Sequence, residues 1–335
     1  MKPKHIYKFL LLLLITSVCF SCIDQKKNSL VEQPLTEIPL KGLVTKKKSE
    51  LSGLTWLGDT LILLPQYPEK FGKPGVLFTI PKKSIIDFLD GKSTDPITPG
   101  TIYLFMPNLE EAINGFEGFE SIVINSDIVY LTIESGKGSY MMGYIISGKI
   151  SLDSTEIRLD SSKIVSIPPA VQLDNRTDEA LIYYKNRLYT FFEANGKNIT
   201  PHPVAHIFDL NLNSLETISF PQLEYRVTDA AIGSNNEIWI INQASSKDID
   251  ILPLYSSETA APTSGTETNN LNQSTRLVKL EFTNNGFVLS ESPPIQIKPS
   301  DTYHNWEGLA VLDDRGFLLV TDKSPDTILG FIKKP

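Results

Sequence analysis

Apolar and polar positions alternate along this chain in a plan that recurs five times. The segments are SGLTWLGDTLILLPQ (52–66), ESIVINSDIVYLTIE (120–134), EALIYYKNRLYTFFE (179–193), DAAIGSNNEIWIINQ (229–243) and EGLAVLDDRGFLLVTD (307–322). Each opens on a small or acidic residue, continues as an apolar run, crosses a short polar turn and returns as a second apolar run ending in an acid or amide. Two short runs rich in β-branched and aromatic residues about a polar turn predict a β-hairpin. The first run of each pair is nearly all apolar, as for a strand buried on both faces. Recurrence at this spacing predicts a repeat architecture.

Further strand-like runs follow most hairpins: 75–81 and 101–106, 141–152 and 154–167, 205–212 and 214–220, 275–282 and 286–297, with a short helical piece at 83–91. Four antiparallel strands per unit, repeated, predict an all-β chain folded as a β-propeller. The count favours five blades. Six stays open if the long fourth unit merges two. The fifth unit has only 327–334 after its hairpin, and 35–44 at the other end of the chain can supply its missing outer strand, removing an exposed edge.

The N-terminus departs from this pattern. A basic stretch, MKPKHIYK, precedes about twelve apolar residues, too few to span a membrane as a helix. The stretch ends at Ser21-Cys22, as in a bacterial lipoprotein signal, with Cys22 as the lipidated residue. The alternative is an ordinary secretory leader. Cys19 falls in the removed segment, so no disulfide is expected. The expected organisation is a leader (1–21), a polar tether (22–35) and one propeller domain (36–335). Within it, the Ser/Thr/Asn-rich segment 256–275 reads as a mobile loop. The expected location is the bacterial outer membrane, on its periplasmic face. A monomer held in the membrane by its lipid is expected.

The chain carries 31 Lys and Arg against 39 Asp and Glu. No basic stripe interleaved with aromatics appears, which excludes nucleic acid as the expected partner. Also absent are a G-x-S-x-G elbow, a P-loop, a dinucleotide-binding glycine pattern and H-E-x-x-H.

The leading residues of the five units are Ser52, Glu120, Glu179, Asp229 and Glu307. On the inner strands of a propeller they would converge at one level of the channel. Carboxylates brought together there need raised pKa values or a cation. Oxygen donors without His or Cys suit calcium. The other reading is a purely structural ring of hydrogen-bond acceptors. A second ring, Gln66, Glu134, Glu193, Gln243 and Asp322, closes the hairpins at the same mouth. Glu134, Glu193 and Asp322 are the candidate acid–base residues, with Glu134 as general base. Arg176, Arg226, His304 and Lys323 are candidates for holding an anionic small molecule. An ordinary polar rim is the alternative, and a Glu134–Glu193 pair would also suit glycoside hydrolysis. Tyr67, Tyr303 and Trp306 are the aromatic candidates in that case.

NWEGLAVLDDRGFLLVTDKSPDTILGFI (305–332) and FEGFESIVINSDIVYLTIE (116–134) resemble the units of the phytase-like (esterase-like) propeller group. ELSGLTW (50–56), FESIV (119–123), DEALI (178–182), TDAAI (228–232) and WEGLA (306–310) resemble the calcium-dependent apyrases, five-bladed nucleotidases. That resemblance implies one central calcium with one ligand per blade, at Ser52, Glu120, Glu179, Thr228 or Asp229, and Glu307. It also implies phosphoester hydrolysis. The chain departs from both groups: PQYPEKFG (65–72) stands where the apyrases carry an Asp-rich, Arg-containing stretch, and no DDPA-type motif is present. The rival expectation is a non-catalytic binding or scaffold propeller with a structural calcium.

Overall fold

The computed structural model describes residues 31–46, 49–138, 140–244, 274–298, 304–322 and 327–335. The leader, Cys22, most of the tether, residues 256–273 of the predicted loop, Tyr303 and Lys323 lie outside the described residues.

The chain begins with β1 (Val31–Gln33) and β2 (Leu35–Ile38). The first repeat is β3 (Leu51–Leu57), β4 (Thr60–Pro65), β5 (Gly75–Pro81), α1 (Lys82–Leu89) and β6 (Gly100–Phe105). The second is β7 (Phe116–Asn125), β8 (Ile128–Lys137), β9 (Tyr140–Ile150) and β10 (Glu156–Ile167), and the third is β11 (Asp178–Tyr184), β12 (Arg187–Phe192), β13 (Val204–Phe208) and β14 (Ile218–Ser219). The fourth is β15 (Arg226–Ile232), β16 (Ile238–Gln243), β17 (Thr275–Thr283), β18 (Gly286–Leu289) and β19 (Ile295–Ile297), and the fifth is β20 (Trp306–Leu312), β21 (Gly316–Thr321) and β22 (Leu329–Lys333). The first three strands of every repeat pair antiparallel in chain order.

Among the described residues, the inner strands β3, β7, β11, β15 and β20 lie side by side in that order, and β20 returns to β3. The fold is therefore an all-β propeller. Strand β2 completes the last blade, antiparallel to β22 from Leu35–Ile332 to Ile38–Leu329. Three details differ from the sequence reading. Residues 31–33, within the predicted tether, form β1 and pair in parallel with β19. The run 286–297 is two short strands rather than one, and 214–220 keeps only the two residues of β14.

The near-continuous apolar runs are explained by where the core sits. Side chains alternate along a strand, so each blade feeds two inter-blade layers. Leu61 and Leu63 pack with Leu318 and Val320 of the last blade. Their neighbours Ile62 and Leu64 pack with Ile122 and Leu131 of the second. Tyr130 and Ile145 meet Leu181 and Phe208. Phe191 meets Ile240 and Phe287. Trp239 and Ile241 meet Leu309 and Phe317, which closes the circuit. The predicted turn at Lys185-Asn186 is also present. Both residues have positive φ, 47° and 60°, as a two-residue hairpin of the type that matches strand twist requires.

If β2 closes the ring, removing it exposes the edge of β22 and the apolar side chains that Ile38 covers, among them Leu318 and Leu329. A chain beginning at Pro39 should be less stable than one beginning at Pro34, which lacks β1 but keeps β2, by the roughly 1.5–3 kcal/mol of one buried Ile side chain plus the lost strand pairing, and so should melt at a clearly lower temperature. Circular-dichroism melts of the two truncations check this.

Candidate functional site

Every inner strand breaks register with its hairpin partner near its start. The breaks fall between Leu51 and Gly53, Phe119 and Ile122, Asp178 and Ala180, Val227 and Asp229, and Trp306 and Gly308. The residues set off by these bulges are Ser52, Glu120 with Ser121, Glu179, Thr228 and Glu307. A bulge leaves a residue outside the ladder and re-aims its side chain. The predicted ring thus sits at the bulges in four blades, and in the fourth blade the equivalent residue is Thr228. All of these side chains are buried. Ser52 Oγ donates to the carbonyl of Phe119 at 2.6 Å, and Thr228 Oγ1 donates to that of Trp306 at 2.7 Å. Each hydroxyl fixes the peptide just before a ring glutamate of the following blade.

Asp229, expected as a ring ligand, has a different place. It stands one residue beyond the bulge, and its carboxylate accepts hydrogen bonds from Ser121 Oγ at 2.9 Å and from the Leu309 N–H at 2.7 Å. The backbone N–H groups of Ala230 and Leu54 also donate to it. These donors belong to blades two, five, four and one. Burial pushes the Asp229 pKa up, and the donors oppose that shift. Its role is the structural one anticipated for a channel acid, filled by Asp229 rather than by the ring glutamates.

Glu120, Glu179 and Glu307 do face a common region. Burial is the main force raising Glu120, followed by the charges of Glu134 and Glu307, with a hydrogen bond from Gln66 Nε2 (3.1 Å to Oε1) opposing it. Burial also leads for Glu179, followed by Glu193, Glu307 and Glu120, with Arg226 opposing. Glu179 Oε2 is buried without a hydrogen-bond partner. Glu307 Oε1 accepts from Asn305 Nδ2 at 2.5 Å. Oxygen donors of this kind fit a hard cation such as calcium. Among the described residues, however, no group of three or more His, Cys, Asp or Glu side chains is placed to hold a metal ion.

The second ring lies beside the first. Glu193 is wholly buried and flanked by Arg176 Nε at 3.2 Å and Arg226 Nη1 at 2.5 Å. The two arginines therefore face a carboxylate of the protein itself, not an open anion site. Glu134 accepts from Thr177 Oγ1 at 3.1 Å, and its pKa is pushed up to about 8, first by burial and then by the charge of Glu193. A carboxyl raised in this way favours its protonated form near neutral pH, whereas a general base, the role expected from sequence, must be ionised. Asp322 accepts from Asn305 Nδ2 at 3.3 Å. His304 lies 5.6 Å ring to ring from Trp306, and burial lowers its pKa. Trp306 is buried in the core between blades four and five, which removes it as an aromatic platform. Half-buried Tyr67 carries Lys70 Nζ over its ring at 4.0 Å, and its pKa is raised by burial and then by nearby Glu120. Lys323 lies outside the described residues.

Sequence reasoning missed Asn305, Thr177, and an inter-strand row in blade three. In that row Asp178 Oδ2 accepts from Thr190 Oγ1 and meets His206 Nδ1 at 2.9 Å. Asn305 was present in the quoted NWEGLA run, and its role became visible only through contacts to blade four.

No family model matches the chain, and no curated protein matches it. Solved structures do. An exo-β-1,3-galactanase from Phanerochaete chrysosporium is similar at TM-score 0.50 and 10% identity, over 90% of this chain and 64% of that one. An α-L-arabinanase from Cellvibrio cellulosa aligns at TM-score 0.47 and 12% identity, over 85% of this chain and 91% of that one. A glucose dehydrogenase aligns at TM-score 0.45 and 12% identity, over 90% and 99%. At this identity the galactanase likeness speaks for the propeller fold alone.

Replacing Asp229 by Ala would strip the Leu309 and Leu54 N–H groups and Ser121 of their acceptor. At about 1–3 kcal/mol per buried donor left unsatisfied, D229A should lower the denaturant midpoint strongly. Urea unfolding compared with wild type checks this.

Proposed function

We propose that this protein is a calcium-binding β-propeller of the cell envelope, held by lipid on Cys22 at the periplasmic face of the outer membrane, with a phosphoester-hydrolase site at its channel mouth. The observation that carries the calcium reading is the trio Glu120, Glu179 and Glu307. They are buried, Glu307 raises the pKa of both Glu120 and Glu179, Glu120 raises that of Glu179, and Glu179 Oε2 has no hydrogen-bond partner. Buried carboxyls in that position stay protonated or take a cation. Ser52 and Thr228 hydroxyls, already oriented by the carbonyls they donate to, complete the oxygen set. Calcium bound there would supply positive charge that lets the carboxyls ionise and draws an anionic group to the mouth.

The chain's own residues supply the rest. Glu134, neutral near pH 7 and held by Thr177, can give its proton to a leaving oxygen. Asp322, held by Asn305, is the candidate to accept a proton from water. Glu193 fixes Arg176 and Arg226 at the rim. That last contact favours the second reading, a non-catalytic binding propeller with a structural calcium, because the arginines already have a carboxylate between them.

The test is thermal unfolding of residues 30–335 with calcium titrated against EDTA. Calcium at a hundred times its Kd should stabilise the wild type by about 2.7 kcal/mol, and E179Q should lose most of that gain. Full stability in EDTA with no calcium shift would remove the metal. Turnover of p-nitrophenyl phosphate or a nucleotide, set against β-1,3-galactotriose, the sugar bound in a related galactanase structure, then separates the catalytic from the binding reading.

The pH dependence has a definite sign. A carboxyl raised by folding keeps its proton over a range where the unfolded chain has lost it, so stability falls as pH climbs through that range. Glu120, Glu134 and Glu179 are all raised, Glu134 to about 8. In EDTA the melting temperature should fall between about pH 5 and about pH 9. Calcium, which needs ionised ligands, should restore more at the higher pH. Activity that uses Glu134 as an acid should decline as pH rises past about 8.

A further inference from the structure

We propose that the end of the channel opposite the acid ring is a binding well for a small uncharged molecule with an apolar body, about the size of one aromatic ring. The inner strands begin at the ring and run toward the hairpin turns at the other face. Along that run three consecutive residues of each strand, 54–56, 122–124, 181–183, 230–232 and 309–311, surround a cavity of about 180 Å³. None of these fifteen residues is charged. Leu54, Ala230 and Leu309, at the ring end, are buried, whereas Trp56, Tyr183 and Ile232, nearer the turns, are half-buried, so the well opens at the turn face.

At its inner end the N–H groups of Leu54, Ala230 and Leu309 all bond to Asp229, so that carboxylate spans the channel and closes the well toward the glutamates. The well is therefore independent of the calcium reading. Its space comes from small side chains. Ala230, Ala231 and Ala310 stand where the equivalent positions of the other blades carry Leu, Ile, Val or Thr. Trp56 is a fixed wall, because its Nε1 donates to the Val311 carbonyl at 2.9 Å and ties blade one to blade five. Protein interiors keep few voids larger than a water molecule, and an apolar cavity of about 150 Å³ takes benzene. An ionic ligand would give up its hydration here without a charged partner. A neutral hydroxyl has partners: each inner strand pairs with its hairpin neighbour on one side and presents peptide groups to the channel on the other. An apolar ring carrying one neutral hydrogen-bonding group therefore matches the lining.

Titration of the protein with benzyl alcohol in EDTA, followed by amide NMR shifts, tests the well. Saturable shifts should concentrate at the lining residues, with a Kd of about 1 mM or tighter, a range open to a ligand of about eight non-hydrogen atoms. Benzoate, the same ring with a charge, should bind at least about tenfold more weakly. A231L, which fills the well from blade four, should weaken benzyl alcohol by at least about tenfold while its spectrum stays that of a folded chain. If A231L does not fold, the smaller A231V decides by the same criterion. Absence of saturable shifts in the wild type overturns the proposal, as do shifts centred elsewhere on the protein. Benzoate binding as tightly as benzyl alcohol overturns the uncharged class of ligand. Affinity unchanged in the folded alanine variant overturns the location.

Discussion

Each inner strand of this propeller has a hydrogen-bonded partner on one edge only. The other edge faces the axis, where its backbone groups need partners away from bulk water, because a buried polar group without one is costly. Asp229 answers much of that demand by taking N–H groups from blades one, four and five and a hydroxyl from blade two. Ser52 and Thr228 answer another part by bonding to carbonyls of the following blade. The apolar layers between blades depend on these inner strands holding their spacing.

The same constraint produces the site. The bulges that take Ser52, Glu120, Glu179, Thr228 and Glu307 out of the ladder lie where the strands enter the channel. Three of the five are glutamates, and burial together with mutual repulsion raises the two whose shifts are resolved. Asp229 stands one residue beyond Thr228 with similar burial and is raised too, but the peptide donors around it oppose the shift. Two neighbouring layers of acid thus do different work. One holds the blades together, and the other gathers buried glutamates whose charges raise the pKa of Glu120 and Glu179. The mouth above has its own balance, with Glu193 between two arginines and Glu134 pushed towards neutrality beside them.

The repeat, the hairpins, the all-β propeller and the closure by an N-terminal strand can be read from the chain alone. Those features rest on local alternation of apolar and polar residues, and one missing strand at the C-terminal end matches one spare strand at the other. The chain also marks the ring in four blades, since a small or acidic residue interrupting the start of an apolar run is itself a local signal. Tertiary structure alone decided between Thr228 and Asp229, which are adjacent in the chain and differ only in which side of a bulge they occupy. It alone assigned Arg176 and Arg226 to Glu193, raised the pKa of Glu134, buried Trp306, and brought Asn305 to Arg226, Gln243, Glu307 and Asp322. Each of these depends on burial and on contacts between blades, and a linear pattern carries neither.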